Sequence, residues 1–153
     1  MTLEAGWAVV PADGVYRGFN IVVETPDDVH ELVRRLTEPG AEIARLIHHG
    51  RPLWDADRGF VDHDVYAAVA DGFGYLSFQD ARRTKRYPLG ADGSPGCEFD
   101  DDEFPPGSGL PLDRFAEAIT EFLLTADLPT GVRWQAVGTP GWAGSGENPA
   151  PAE

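Results

Sequence analysis

The sequence predicts an α+β domain with one twisted, mostly antiparallel sheet and two helices packed on a face of that sheet. Two observations lead to this prediction. First, two segments repeat apolar residues at spacings of three and four, as amphipathic helices do. Second, the other segments alternate apolar and polar residues over short runs, as half-buried strands do. The order of elements is strand, helix, several antiparallel strands, helix and strand.

The N-terminal third predicts strands around the first helix. Residues 7–10 form a short apolar run that we expect to be an edge strand, and residues 19–24 form a second strand. Thr25 is a natural N-cap, and Asp28 stands three residues later, as in a capping box. A third strand is expected over residues 42–49. The apolar stripe of the helix comprises Val29, Leu32, Val33 and Leu36.

The middle of the chain predicts a β-hairpin and a further strand. Asp71 and Gly72 stand between apolar runs at residues 64–70 and 73–78. This dipeptide between two such runs is typical of a hairpin with a two-residue turn. Another strand is expected over residues 83–88.

The C-terminal part predicts the second helix and a closing strand. Pro111 suits the first turn of a helix, because its missing N–H would have no partner there. Residues 132–137 alternate as a half-buried strand does, and Val132, Trp134 and Ala136 are expected to face the core. The apolar stripe of the helix comprises Leu112, Phe115, Ala116, Ile119, Phe122, Leu123 and Ala126.

The length and composition predict one globular domain followed by a tail. The chain has 153 residues, of which 42% are hydrophobic and 25% are charged. From residue 138 onward the sequence is rich in Gly, Pro, Ala and Ser, which predicts a disordered or loosely attached segment. We therefore expect a single α+β domain over residues 1–137 and a tail over residues 138–153.

The charge of the chain predicts its partners. It carries 26 acidic and 12 basic residues, a formal net charge of -14. An acidic surface repels phosphate backbones and anionic membranes and attracts basic proteins. We therefore expect a basic protein partner, without direct binding to nucleic acid or to a membrane. The short basic cluster at residues 82–86 is expected to be an exposed strand with acidic neighbours.

The single cysteine and the amino terminus predict a cytoplasmic protein. Cys97 alone cannot form an internal disulfide framework or a multi-cysteine zinc site. The first residues lack the basic and apolar regions of a signal peptide. No segment reaches the roughly 20 apolar residues that a membrane span needs.

The densest charge feature is a run of carboxylates framed by two phenylalanines, and we call residues 98–104 the acidic segment. This segment can be a solvated loop or a charged stretch that protects an edge strand from pairing, or it can be a docking surface for a basic partner. A calcium site is a third possibility, although the segment lacks the regular ligand spacing and the central Gly of a calcium-binding loop. Residues 98–127 hold nine acidic residues and one basic residue. Glu117 and Glu121, one turn apart on the exposed helix face, could extend a docking surface. The partner contacts that we predict are Phe99, Asp100, Asp101, Asp102, Glu103, Phe104, Glu117 and Glu121.

The histidines offer an alternative, a small metal-dependent enzyme. His48, His49 and His63 stand near Asp55, Asp57, Asp62 and Asp64 in the sequence, and these side chains are common metal ligands. The chain contains neither His-Glu-x-x-His nor Cys-x-x-Cys, and adjacent histidines on a strand point to opposite faces. We therefore expect no catalytic residue, metal or cofactor, and keep the enzyme as the alternative.

The C-terminal third carries a resemblance to a known family. A loop ending in PPGS at residues 105–108 leads to a Pro-initiated helix that finishes in a Phe-x-x-Thr segment, and Pro129, Val132 and Trp134 close the motif. These features resemble one family of immunity proteins from bacterial polymorphic toxin systems, often encoded beside nucleic-acid deaminase toxins. The resemblance implies a non-enzymatic inhibitor that occludes the active site or substrate groove of a cognate toxin. The predicted contacts come from the charge pattern and not from the family.

Overall fold

The computed structural model describes residues 1–80, 84–99 and 102–136, which form an α+β fold. The predicted fold class is confirmed, because two helices accompany a large antiparallel sheet. The helices are α1 (Pro26–Leu36) and α2 (Leu112–Thr125). The strands are β1 (Leu3–Val9), β2 (Arg17–Val23), β3 (Ala44–His48), β4 (Leu53–Asp55), β5 (Phe60–Val61), β6 (Asp64–Ala70), β7 (Phe73–Gln79), β8 (Lys85–Pro88), β9 (Cys97–Glu98), β10 (Glu103–Phe104), β11 (Leu110–Pro111) and β12 (Trp134–Ala136).

The main sheet has the strand order β12-β8-β7-β6-β3-β1-β2, and β11 also pairs with β7. Every pair is antiparallel. The predicted hairpin joins β6 to β7, and Asp71 and Gly72 have φ angles of 53° and 81°. Both central residues thus adopt the left-handed conformation that the favoured two-residue hairpin turn requires. Two short ribbons, β4–β5 and β9–β10, stand apart from the main sheet.

The ends of the helices follow local chemistry. The Thr25 side chain accepts the N–H of Asp28 at 3.2 Å, and the Asp28 carboxylate accepts the N–H of Thr25 at 3.1 Å, so the capping box is confirmed. Pro111 stands at the N-cap of α2 in an extended conformation, so the expectation that it lies in the first turn was wrong. Because β11 ends at Pro111, the helix begins one residue later. Ala126 ends α2 in the left-handed conformation.

The main core lies between the sheet and the two helices. Leu3, Leu46 and Leu76 extend from three strands towards α1 and α2, and each is almost fully buried. Trp134 packs against this core and remains partly exposed. Ala136 is exposed, so its predicted place in the core was wrong. The helical residues of this core are Val29, Leu32, Leu36, Phe115, Ala116, Ala118, Ile119, Phe122 and Leu123.

The sheet surface opposite the two helices, here called the second face, carries a smaller apolar cluster. Tyr75 and Tyr87 extend from β7 and β8, and Phe104 of the β9–β10 ribbon covers them. Ile43 and Ala68 complete this cluster. The described residues between β8 and α2 thus include a ribbon that packs on the second face, and Leu110 brings the chain back to the helical side.

The position of β1 differs from the prediction. We expected an edge strand at the amino terminus, whereas β1 lies between β2 and β3. Its alternating residues Leu3, Ala5 and Trp7 are buried beneath the helices, which an edge position would not achieve. Among the described residues, no helix is long and apolar enough to cross a membrane. The predicted tail at residues 138–153 lies outside the described ranges.

Candidate functional site

Asp102 of the acidic segment is buried on the second face. Its side chain is only 2% exposed. One carboxylate oxygen accepts the Tyr87 hydroxyl at 2.7 Å and the backbone N–H of Glu103 at 2.8 Å. The other oxygen accepts the Ser77 hydroxyl and lies 3.1 Å from Nζ of Lys85. This carboxylate therefore attaches the acidic segment to the sheet and is covered from solvent.

The donors around Asp102 come from β7 and β8, and no sequence motif links them. Burial and the adjacent Asp102 raise the pKa of Tyr87, so its hydroxyl stays protonated and can donate. The Lys85 ammonium also lies 5.7 Å from the centre of the Tyr66 ring. The sequence could not indicate this arrangement, because strand pairing alone brings Ser77, Tyr87 and Lys85 together.

The two phenylalanines of the acidic segment have different environments. Phe104 is 1% exposed, and its ring packs against Tyr75 and Tyr87 at centroid distances of 5.6 and 5.9 Å. Phe99 is half-buried beside it at 6.4 Å. Phe104 therefore belongs to the folded interior, whereas Phe99 keeps part of its surface in solvent.

The exposed carboxylates of the β9–β10 ribbon lie next to each other. Glu98 and Glu103 are directly opposite in the register of the two strands, and both are exposed. Like charges in this arrangement repel, and a basic partner would relieve the repulsion. Asp100 and Asp101, which lie between these strands in sequence, fall outside the described residues.

The structure places the two helical glutamates on the other side of the sheet. Glu117 of α2 is exposed and lies 3.4 Å from Arg114. Glu121 accepts the backbone N–H of Thr130 at 2.6 Å and that of Gly131 at 3.0 Å, and these hydrogen bonds lower its pKa. Glu121 therefore holds the loop after α2. The helix and the β9–β10 ribbon pack on opposite faces, so the sheet separates the two groups of predicted contacts.

His48 and His63 form a buried network. The backbone N–H of His48 donates to Nε2 of His63 at 2.9 Å, and Nδ1 of His63 lies 2.9 Å from an oxygen of Asp62. Nε2 of His48 lies 2.9 Å from the Leu123 carbonyl, and its Nδ1 accepts the Gly50 N–H at 2.9 Å. All four ring nitrogens thus have partners within the protein, and the rings join β3, α2 and the segment before β6.

These contacts assign the ring protons. Because a carbonyl oxygen only accepts, Nε2 of His48 carries a proton, and because Nε2 of His63 accepts, its Nδ1 donates to Asp62. Burial lowers the pKa of His63 and so favours this neutral ring. Arg51 donates to both oxygens of Asp62 at 2.8 and 2.9 Å and to the Ala126 carbonyl at 2.7 Å. The network therefore stabilises the fold.

Three of the remaining candidate metal ligands, His49, Asp55 and Asp64, also have other contacts. His49 lies at the surface with its Nε2 3.3 Å from Glu4, and Asp55 accepts backbone N–H groups of the turn that follows it. Asp64 forms an ion pair with Arg45 at 3.0 Å and lines a cavity of about 380 Å³. Within residues 1–80, 84–99 and 102–136, no group of three or more His, Cys, Asp and Glu side chains is arranged to hold a metal ion.

Cys97 is a poor nucleophile. Burial raises the pKa of its thiol to about 11, and the charges of Asp71 and Asp102 add to this effect. Since the thiolate is the reactive form, little of it is present at neutral pH.

A comparison with known protein families gives a match over most of the chain. Residues 17–136, from β2 to β12, match the family model of immunity protein Imm1. The chain belongs to the Imm1 immunity protein family. This confirms the family resemblance of the C-terminal third. Imm1 membership points to toxin neutralisation, a cognate toxin as partner and a non-enzymatic role. No curated protein matches the chain.

Proposed function

We propose that this Imm1 protein binds a cognate toxin in the bacterial cytoplasm and neutralises it by occluding the toxin's active site or substrate groove. The family match over residues 17–136 carries this proposal. The toxin that we propose is a deaminase acting on nucleic acid, as the resemblance of the C-terminal third implies. An inhibitor of this kind needs no cofactor and no nucleic acid of its own.

The charge of the chain supports a basic toxin as the partner. A net charge of -14 steers a basic protein into encounter and repels competing nucleic acid. A deaminase that binds a phosphate backbone needs a positive groove. An acidic surface can occupy such a groove in place of the substrate.

The contact surface that we propose is centred on the β9–β10 ribbon. Glu103 and the exposed part of Phe99 lie there, and Asp100 and Asp101 connect them in sequence. Glu117 is proposed as a separate contact on α2. The ribbon offers an apolar anchor beside repelling carboxylates, a combination that suits a basic partner. Asp102 and Phe104 support this surface by attaching the ribbon to the sheet, and Glu121 supports the α2 side by holding the loop after that helix.

Co-expression with the toxin domain encoded beside this chain tests the proposal. We expect that domain to be toxic alone and harmless together with this chain, and the two to purify as a one-to-one complex. Calorimetry should then give an affinity that weakens as salt rises. A toxic domain that neither associates with this chain nor is neutralised by it would contradict the proposal for that pair.

Substitutions in the ribbon test the contact surface. The double change Glu98→Gln and Glu103→Gln should weaken toxin binding and reduce its salt dependence, because it removes two exposed charges. The matched control is Asp27→Asn with Asp92→Asn, which changes the net charge equally at exposed positions outside the ribbon. Equal effects of the two pairs would indicate that only net charge matters and would contradict a contact at the ribbon.

A further inference from the structure

The edge strand β2 lacks the features that normally protect a sheet edge. Among the described strands it pairs only with β1. Natural edge strands are commonly protected by charged side chains, prolines or bulges. The seven residues of β2 include one charged residue, Arg17, no proline and no break in the register with β1. Its outer side therefore presents backbone N–H and C=O groups that another extended strand can bind.

Apolar side chains collect along this edge. Val15, Tyr16, Phe19 and Val22 are all exposed, Tyr16 by 66% and Val22 by 56%. Phe19 lies on the helical side, where its ring stacks on Trp7 at 5.8 Å and its centre lies 4.9 Å from the Arg35 guanidinium, whereas Val22 lies on the second face. Both faces of this edge therefore carry an exposed apolar side chain. A quarter of the residues in the chain are charged, so this stretch with a single charge stands out.

The charge of β2 identifies the kind of partner that it fits. Arg17 is the only charged residue of β2 and pairs with Asp13 at 3.5 Å, so the strand itself offers no carboxylate to a basic toxin. An apolar strand of the same character as β2 is the complementary partner, and a second copy of this chain supplies one. Strand addition at an open edge satisfies the backbone groups of both copies at once.

We propose that two copies of this chain form a symmetric dimer in which their β2 strands pair antiparallel about Asn20. Residues directly opposite in an antiparallel pair share a face of the sheet, so the helices of both copies lie on the same side. The two sheets then continue as one. This dimer does not use the proposed toxin contacts of the β9–β10 ribbon, because that ribbon is separate from the main sheet and from β2.

The sequence of β2 is complementary to itself in this register. Asn20 is the central residue of β2 and lies opposite its own copy, where two amides can exchange hydrogen bonds. Gly18 then lies opposite Val22, a small residue against a large one. Phe19 lies opposite Ile21, and such pairs of aromatic and β-branched side chains stabilise sheets.

The electrostatics of this dimer predict an unusual salt dependence. Arg17 lies opposite Val23, so no like charges meet along the paired strands. Each copy as a whole carries -14, and this long-range repulsion is screened by salt. Dimerisation should therefore strengthen as salt rises, whereas toxin binding should weaken.

Sedimentation equilibrium of the full chain tests the dimer. Over a concentration series from about 1 to 500 μM, we expect the mass to rise from 16.6 kDa towards twice that value, with a micromolar dissociation constant because an edge contact is small. The midpoint should move to lower protein concentration between 0.05 and 0.5 M NaCl. A mass of one chain at every concentration and salt would overturn the proposal.

Cysteine cross-linking tests the register. In a Cys97→Ser background, Asn20→Cys places two thiols opposite each other at a distance that a disulfide can span. Val22→Cys is the matched control, because the two Val22 residues stand far apart in this register. We expect mild oxidation to give a covalent dimer with the first variant only. The proposed register would be overturned if the control variant cross-linked efficiently, or if neither variant cross-linked.

Asn20→Lys tests the edge directly. Two lysines would meet at the symmetry axis and should weaken dimerisation at least about tenfold. The control Leu124→Lys adds the same charge at an exposed position on α2 and should leave dimerisation unchanged or slightly stronger. If the wild type and the Asn20→Lys variant were both monomeric, and the variant bound the toxin more weakly, the toxin would occupy this edge. If dimers formed only after removal of residues 137–153, the chain's own C-terminal segment would occupy it. Either result would overturn the dimer of the full chain.

Discussion

Replacing Asp102 by alanine would remove the buried carboxylate that attaches the acidic segment to the sheet. The hydroxyls of Ser77 and Tyr87, both buried, would lose their acceptor. A buried hydroxyl without a partner costs about 1 to 3 kcal/mol. Lys85 is partly exposed and can turn to water, so it adds little. We therefore expect Asp102→Ala to lower the free energy of unfolding by about 3 to 5 kcal/mol, in the range found for broken buried ion pairs.

Urea unfolding followed by tryptophan fluorescence measures this loss. With a slope of about 2 kcal/mol/M, the midpoint should fall by roughly 1.5 to 2.5 M. The neighbouring Glu103→Ala is the matched control, since Glu103 is exposed and should change stability by no more than about 0.5 kcal/mol. Asp102→Asn keeps the size and one oxygen acceptor, and it should give an intermediate loss in a chain that still folds. A loss below about 1 kcal/mol for the alanine variant would refute the role assigned to this carboxylate.

Three further predictions concern Gly74, His63 and Cys97. Gly74→Ala should destabilise the fold by about 1 to 3 kcal/mol in urea unfolding, because an added methyl group would overlap the buried Phe115 ring; Gly93→Ala, where the methyl meets open space, is the control. Stability should fall as pH drops below about 6.5, because the lowered pKa of His63 means that the unfolded state takes up a proton first. The difference between the urea unfolding midpoints at pH 8 and pH 5.5 measures this loss of stability. If a folded His63→Gln variant showed the same difference, the assignment of the loss to His63 would be wrong. Cys97 should react with iodoacetamide at pH 7.5 far more slowly than free cysteine, since its thiol pKa is about 11, and reaction at a similar rate would show that the thiol is not shielded.

The features that the sequence predicted correctly depend on near neighbours in the chain. Thr25 and Asp28 are three residues apart, and their reciprocal hydrogen bonds need only one turn of helix. Asp71 and Gly72 define their own turn, and the strands on both sides follow from it. Short-range contacts of this kind are encoded within a few residues and can be read without knowledge of the fold.

The features that the sequence did not predict depend on strand pairing. Asp102 stands among carboxylates and has the pattern of a surface residue, but β7 and β8 bring its donors together from distant positions. His63 has the neighbours of a metal ligand, but β3 occupies its ring nitrogen with a backbone N–H. In both cases the position of a polar side chain is decided by contacts that local periodicity does not contain.

The central position of β1 in the sheet limits where the chain can be truncated to make a shorter fragment. The residues that define family membership begin at Arg17, after β1 has ended. A fragment cut to those residues would lose the strand that connects β2 to β3, and β2 would have no neighbour left in the sheet. The new edge at β3 would be open to pairing with other chains, a common cause of aggregation. Recombinant fragments of this protein should therefore keep the residues before Arg17, although the family match begins only there.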